Sequence, residues 1–174
     1  WRKPYNLYLK ENGGVCDDAN DFWAHPEVRR YTRNKLRYCV ARWGCRPNLM
    51  AWEFWNEVVC KRGTIDAAVA WHRDMGRYLQ GIDPWRHLVT TSLMGDRDLA
   101  DRIWALPEIG IMQFHYYCRS DMVSNIADMT RTVQSRHKKP FFVGEYGVAP
   151  QFRPGNATYD PRGIHMHNGM WAAA

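Results

Sequence analysis

Two short apolar runs in this sequence each end on a carboxylate. Trp52-Glu53-Phe54-Trp55-Asn56-Glu57 delivers an amide followed directly by an acid. Val143-Gly144-Glu145-Tyr146-Gly147 delivers its acid between two glycines, which let another backbone or a ligand come close. Taken alone, either glutamate could be an acid that begins a solvated loop. As a pair they suit a reaction that needs one protonated and one ionised group at the same pH, since the charge on one favours the proton on the other. Hydrolysis of a glycosidic bond is such a reaction: one carboxylic acid protonates the leaving oxygen while the other carboxylate attacks or activates water. For the retaining version the two groups should lie about 5–5.5 Å apart.

A third run, Gln113-Phe114-His115-Tyr116-Tyr117, falls between them in chain order. With a period of two, Gln113, His115 and Tyr117 share one face, and the phenol is able to orient a carboxylate. Asn56 could hydrogen-bond a sugar hydroxyl beside the acids. Glu53 is in phase with Glu57, and the expectation is a structural acid lying deeper, with a cationic partner.

All three runs read as buried strands, and amphipathic stretches separate them. The spacing predicts helices over about 26–44, 65–81, 97–105, 121–137 and 161–172. Pro26 suits a first turn, Thr64 an N-cap, and Gly44 with Pro47 a stop. Strands are expected at 49–55, 87–93, 109–117 and 141–146, with a further short one at Tyr5-Asn6-Leu7-Tyr8-Leu9. Strands alternating with helices imply a parallel sheet, either doubly wound or a (β/α)8 TIM barrel, and in both the C-terminal strand ends face the active site. Glu57 and Glu145 would then stand about three units apart, near enough around a small barrel to share a cleft.

Composition narrows the classes. The chain has 174 residues, 45% of them hydrophobic and 24% charged, so it can bury a sizeable core and disorder is excluded. It has no run of 18 apolar residues, which excludes a helical membrane span. The net charge of +6 is spread among acids without a basic run, which reads as solvated surface with no nucleic-acid partner. Aromatic residues make up 14%, enough for a core or a sugar-binding cleft, with Trp1, Tyr5, Trp23 and Trp55 as rings that could stack or simply pack. Five cysteines without a CxxC pair signal neither zinc nor a complete disulfide framework. His165 and His167, two apart on a helix, do not share a face, so no metal site is expected there. P-loop, Rossmann and Ser or Cys nucleophile motifs are missing, and no cofactor is expected.

Trp-Asn-Glu at 55–57, His-x-Tyr at 115–117 and Gly-Glu-Tyr-Gly at 144–147 together resemble clan A of the glycoside hydrolases, most closely family 5, the cellulase and mannanase family. Ala41-Arg42-Trp43-Gly44 with Pro47-Asn48, and His167-Asn168-Gly169-Met170-Trp171, add to the resemblance, which runs from about Pro4 to Trp171. It implies a retaining endo-β-1,4-glycanase acting on mannan or glucan. Glu57 is then the acid/base, Glu145 the nucleophile, Asn56 a contact to the 2-hydroxyl, and His115 and Tyr117 the groups that position substrate and nucleophile. At about 31 residues per strand–helix unit, a barrel reading makes residues 1–174 an incomplete barrel of about five of eight units, lacking N-terminal strands and the last strand. The expected partner is a polysaccharide or oligosaccharide, with no nucleic acid and no membrane, and the expected state a secreted monomer whose signal would precede residue 1. The rival class is a non-catalytic carbohydrate-binding protein on a degenerate barrel, which would need neither glutamate.

Overall fold

The computed structural model describes residues 3–117, 121–148 and 159–173. Residues 3–23 hold no strand. Three short 3-10 turns occupy Lys3–Tyr5, Lys10–Asn12 and Ala19–Trp23. The strand expected at Tyr5–Leu9 is displaced by an Asn turn, in which Asn6 Oδ1 accepts the Tyr8 N–H at 2.9 Å and Asn12 Nδ2 donates to the Asn6 carbonyl. Short polar side chains compete in this way with a strand's own ladder. Only a single bridge, Leu9 to Cys16, survives there.

Helix α1 (Pro26–Trp43) starts where Pro26 fixes the first turn and His25 Nδ1 accepts the Glu27 N–H, and it buries Val28, Thr32, Leu36 and Val40. Helix α2 (Ile65–Ile82) buries a wider stripe, from Ile65 through Ala68, His72 and Met75 to Leu79. Thr64 precedes it without capping through its side chain; the hydroxyl bonds the Lys61 carbonyl instead. Asp96 caps α3 (Arg97–Trp104) and Asp121 caps α4 (Met122–His137), each accepting a backbone N–H three residues on. Helix α5 (Ile164–Ala173) closes the described chain.

Strands β1 (Ala51–Glu53), β2 (Leu88–Thr90), β3 (Ser92–Leu93), β4 (Met112–Tyr117) and β5 (Phe141–Gly147) are all parallel to their neighbours. β2 and β3 are one extended run interrupted at Thr91, so the pairs β1–β2 and β3–β4–β5 follow chain order. The result is an α/β architecture of four strand–helix units preceded by α1. Among the described residues β1 pairs only with β2, and β5 only with β4, leaving two sheet edges. The strand expected over 49–55 is regular over just three residues; beyond Glu53 the backbone still bonds the neighbouring strand, the Phe54 N–H donating to the Thr90 carbonyl at 3.0 Å, but it bends into the turn that carries Asn56 and Glu57.

The core lies between the sheet and α1–α3. Phe22, Trp23, Trp55, Trp71 and His72 form a ring-on-ring cluster, with Phe22 and Trp55 centroids 4.6 Å apart. Edge and tilted contacts of this kind add to simple area burial. Trp23 is therefore core, Trp55 packs partly buried on it, and Tyr5 is exposed. Trp1 lies outside the described residues.

Candidate active site

Glu57 sits in the turn after β1 with φ of 54°, the left-handed region that a glutamate adopts at a cost of about 1 kcal/mol or more. The neighbouring strand holds it there. The Trp55 carbonyl accepts bonds from the Ser92 N–H at 3.0 Å and the Thr91 hydroxyl at 3.1 Å, the Glu57 N–H donates to Ser92 Oγ at 2.8 Å, and the Val58 N–H donates to the Ser92 carbonyl at 3.0 Å. Four bonds therefore overdetermine one strained residue, the pattern found where an acid must be aimed rather than simply solvated. The polar run Thr90-Thr91-Ser92 in the neighbouring strand was the sequence signal for this clamp, and spacing alone did not expose it.

Glu145 is placed by a different device. β4 and β5 run in plain register up to Phe114 opposite Val143; the register then slips, so that His115 faces Glu145 and Gly144 is left over. Without this bulge His115 would face Gly144, and Glu145 would pair with Tyr116 on the helix side of the sheet. Gly144 permits the bulge, since a Cβ at that position would lie 2.1 Å from Gln113 Oε1.

The polar face of β4 meets three glutamates in turn. Gln113 Nε2 donates to Glu53 Oε1 at 2.9 Å, His115 Nδ1 lies 2.9 Å from Glu57 Oε1 and 3.6 Å from Glu145 Oε2, and the Tyr117 hydroxyl donates to Glu145 Oε2 at 2.5 Å. Glu53 thus departs from expectation: it is exposed, and its partner among the described residues is a neutral amide instead of a cation. Water and an amide together can carry an acid that a closed interior would oblige to pair with a positive charge.

One donor atom each from Glu57, His115 and Glu145 lies within 4.8 Å of the other two. The imidazole is buried, with its side chain 2% exposed, whereas the carboxylates are 29% and 45% exposed and so reach solvent. With Nδ1 carrying its proton, the ring donates to Glu57 Oε1, and Glu145 Oε2 stands 3.6 Å from the same nitrogen. Burial first, then the bond to Glu145 and the charges of Glu145 and Glu57, push the Tyr117 phenol up to about 12. It stays protonated at any ordinary pH and acts only as a donor to Glu145. Asn56 is exposed in the same turn as Glu57. The structure therefore brings Glu57, His115, Tyr117 and Glu145 into one constellation, with Asn56 at its rim. His165 and His167 stand apart on α5, where His167 bonds Asn168 and Trp171.

No protein-family model matches the chain. Among characterised proteins it is similar to mannan endo-1,4-beta-mannosidase 3 of Arabidopsis thaliana, 29% identical over 103 residues, which are 54% of this chain and 25% of that protein. It is similar also to mannan endo-1,4-beta-mannosidase F of Aspergillus clavatus, 26% identical over 165 residues, 82% of this chain and 37% of that one. The chain thus spans well under half the length of these relatives. Among solved structures, a beta-glucuronidase of Bifidobacterium dentium superposes with a TM-score of 0.65 at 16% identity, covering 85% of this chain and 26% of that one. That likeness speaks for the fold alone, that of a TIM barrel.

Proposed function

We propose that this chain, which is similar over most of its length to the mannan endo-1,4-beta-mannosidases of glycoside hydrolase family 5, is part of a retaining hydrolase of β-1,4-linked mannan. Residues 1–174 are then one stretch of a (β/α)8 catalytic domain, a reading supported by the all-parallel sheet and by the 37% of the Aspergillus clavatus relative that the chain covers. The observation that carries the function is the pair Glu57 and Glu145 at parallel strand ends, with donor oxygens within 4.8 Å of each other, near the about 5–5.5 Å at which one carboxylate can attack what the other protonates.

In this mechanism Glu145 attacks the anomeric carbon while Glu57 gives its proton to the departing glycosidic oxygen. Tyr117 and His115 both face Glu145 Oε2, so Oε1 is the oxygen left to form the glycosyl–enzyme bond. A hydrogen bond from the phenol suits a group that must attack as an anion. Glu57, now ionised, takes a proton from water as that water attacks the same carbon; the Glu145 ester bond breaks, and the sugar leaves with its original configuration. His115, held between the two acids, keeps them at working distance throughout. In this reading Asn56, exposed in the turn beside Glu57, meets the 2-hydroxyl. A polymeric substrate cannot enter a cell, so the enzyme meets it outside the cytoplasm.

The test is hydrolysis of β-1,4-manno- and β-1,4-gluco-oligosaccharides by this chain, and by a version lengthened at both ends to the span of its relatives. Cleavage of the manno series is expected, falling by about 10⁴-fold or more in Glu145→Ala, as for other catalytic groups whose removal disables the whole constellation. Azide, filling the space of the lost carboxylate, should restore turnover of an activated aryl glycoside as the inverted glycosyl azide. Binding of the sugars without cleavage by either form would favour the non-catalytic carbohydrate binder, and cleavage that survives Glu145→Ala would remove the nucleophile assignment.

A further inference from the structure

The trio that handles protons in the proposed reaction is also a set of metal donors: one imidazole nitrogen and two carboxylates converging from three strand ends. We propose that Glu57, His115 and Glu145 bind one divalent transition-metal ion of the zinc type, with water completing the coordination, and that the occupied site is an inhibited state of the protein. The metal-binding half stands on geometry alone, while the inhibition half rests on the acid/nucleophile reading given above.

Zinc holds imidazole nitrogen and carboxylate oxygen at about 2.0–2.2 Å, so tetrahedral donors stand about 3.3–3.6 Å from one another. His115 Nδ1 is 2.9 Å from Glu57 Oε1 and 3.6 Å from Glu145 Oε2, and no donor pair of the trio need exceed 4.8 Å. Side-chain shifts of a few tenths of an ångström to about one ångström would close the set round an ion. The partly exposed carboxylates can make that adjustment, and the ring need not move, because burial locks it. A donor that is buried and already aimed into the cluster separates this trio from a surface patch of acids. The Tyr117 hydroxyl braces Glu145 from the side.

The donor set also selects the ion. Imidazole suits zinc, copper, cobalt and nickel, whereas calcium and magnesium want an oxygen cage that two carboxylates do not make. Metal binding requires the Nδ1 proton to leave, to Nε2 or to solvent, and Glu57 to be ionised. While the ion is bound, Glu57 has no proton to give and Glu145 no free lone pair to attack with.

Isothermal calorimetry with Zn²⁺ tests the site, on protein whose thiols have been blocked because Cys45 is exposed. One saturable ion per chain is expected, with affinity at least about tenfold lower in Glu145→Gln and in His115→Asn, as for losses that disturb a metal's ligands. His167→Ala should leave the affinity unchanged. Glu145 is half-exposed, so its variant folds even if the buried histidine's does not. Equal affinity in the parent and Glu145→Gln, or the absence of saturable binding, would overturn the proposal. Zn²⁺ should also stop mannan cleavage, and a chelator restore it. Binding through the trio without any cleavage would overturn the function and uphold the metal site, whereas cleavage indifferent to Zn²⁺ would do the reverse.

Discussion

His72 couples the stability of the core to pH, and its contacts say by how much. The ring is fully buried on the inner face of α2, stacked on Trp23 with centroids 5.7 Å apart and set edge-on to Trp71. Its Nδ1–H donates to the Ala68 carbonyl at 2.8 Å, and Nε2 lies 3.3 Å from the Thr91 hydroxyl, which in turn bonds the Trp55 carbonyl. Burial lowers its pKa from 6.5 to about 4, with the Ala68 bond opposing weakly. A histidine whose folded pKa is depressed binds its proton more readily when unfolded. Its contribution is complete above about pH 6.5 and is lost as pH falls from there toward about 4. Between about pH 7.5 and pH 5 the linkage amounts to about 2 kcal/mol, approaching about 3 kcal/mol at lower pH.

The assay is urea unfolding at those two pH values for the parent and for His72→Phe. Phenylalanine keeps the ring among Trp23, Phe54 and Trp71 but has nothing to titrate, and its packing cost, about 1–2 kcal/mol, is the same at both pH values. Exposed carboxylates titrate equally in both proteins and cancel. The difference in stability between the two pH values should be about 2 kcal/mol smaller in His72→Phe. An identical pH dependence in the two proteins would refute the reasoning, since the histidine would then be gaining its proton without unfolding.

Three further outcomes follow from single positions. Gly144→Ala should cost about 2–4 kcal/mol in chemical denaturation, because its Cβ would drive the buried Gln113 amide off Glu53; a loss under about 0.5 kcal/mol would mean that the bulge tolerates a side chain. Tyr117→Phe, which removes the bond to Glu145, should lower kcat/KM on manno-oligosaccharides about tenfold to a hundredfold with the fold intact by circular dichroism, and unchanged kinetics would exclude the phenol from orienting Glu145. Arg86 is exposed at φ of 54°, so Arg86→Gly should raise stability by about 0.5–1 kcal/mol, seen as a higher Tm; a lower Tm would show that the arginine side chain makes a stabilising contact.

Most elements were legible in the sequence because their signals are local. The helix over Pro26–Trp43 follows from Pro26, Glu27 and an apolar face at 3.6 spacing, and the polar stripe Gln113, His115, Tyr117 follows from the period of a strand. Two carboxylates ending two apolar runs were visible for the same reason. What sequence periodicity misread was decided by side chains competing with the backbone: Asn6 turned an expected strand into a turn, and the Thr64 hydroxyl chose the Lys61 carbonyl over its own helix.

The aim of the two acids belongs to the tertiary structure. Read with strict alternation from Phe141, β5 gives no reason for Glu145 to share the face of His115; only the leftover Gly144 in the pairing with β4 turns it there. In the same way Glu57 follows a strand too short to orient it, and it is the clamp from Thr91 and Ser92 that holds its backbone at positive φ. Sequence fixes which groups are acids, imidazoles and donors, and roughly which strand ends carry them, because side-chain chemistry and local periodicity are properties of neighbours along the chain. Register, bulges and strained turns come from hydrogen bonds between strands far apart in sequence, and a slip of one residue there turns a side chain from one face of the sheet to the other.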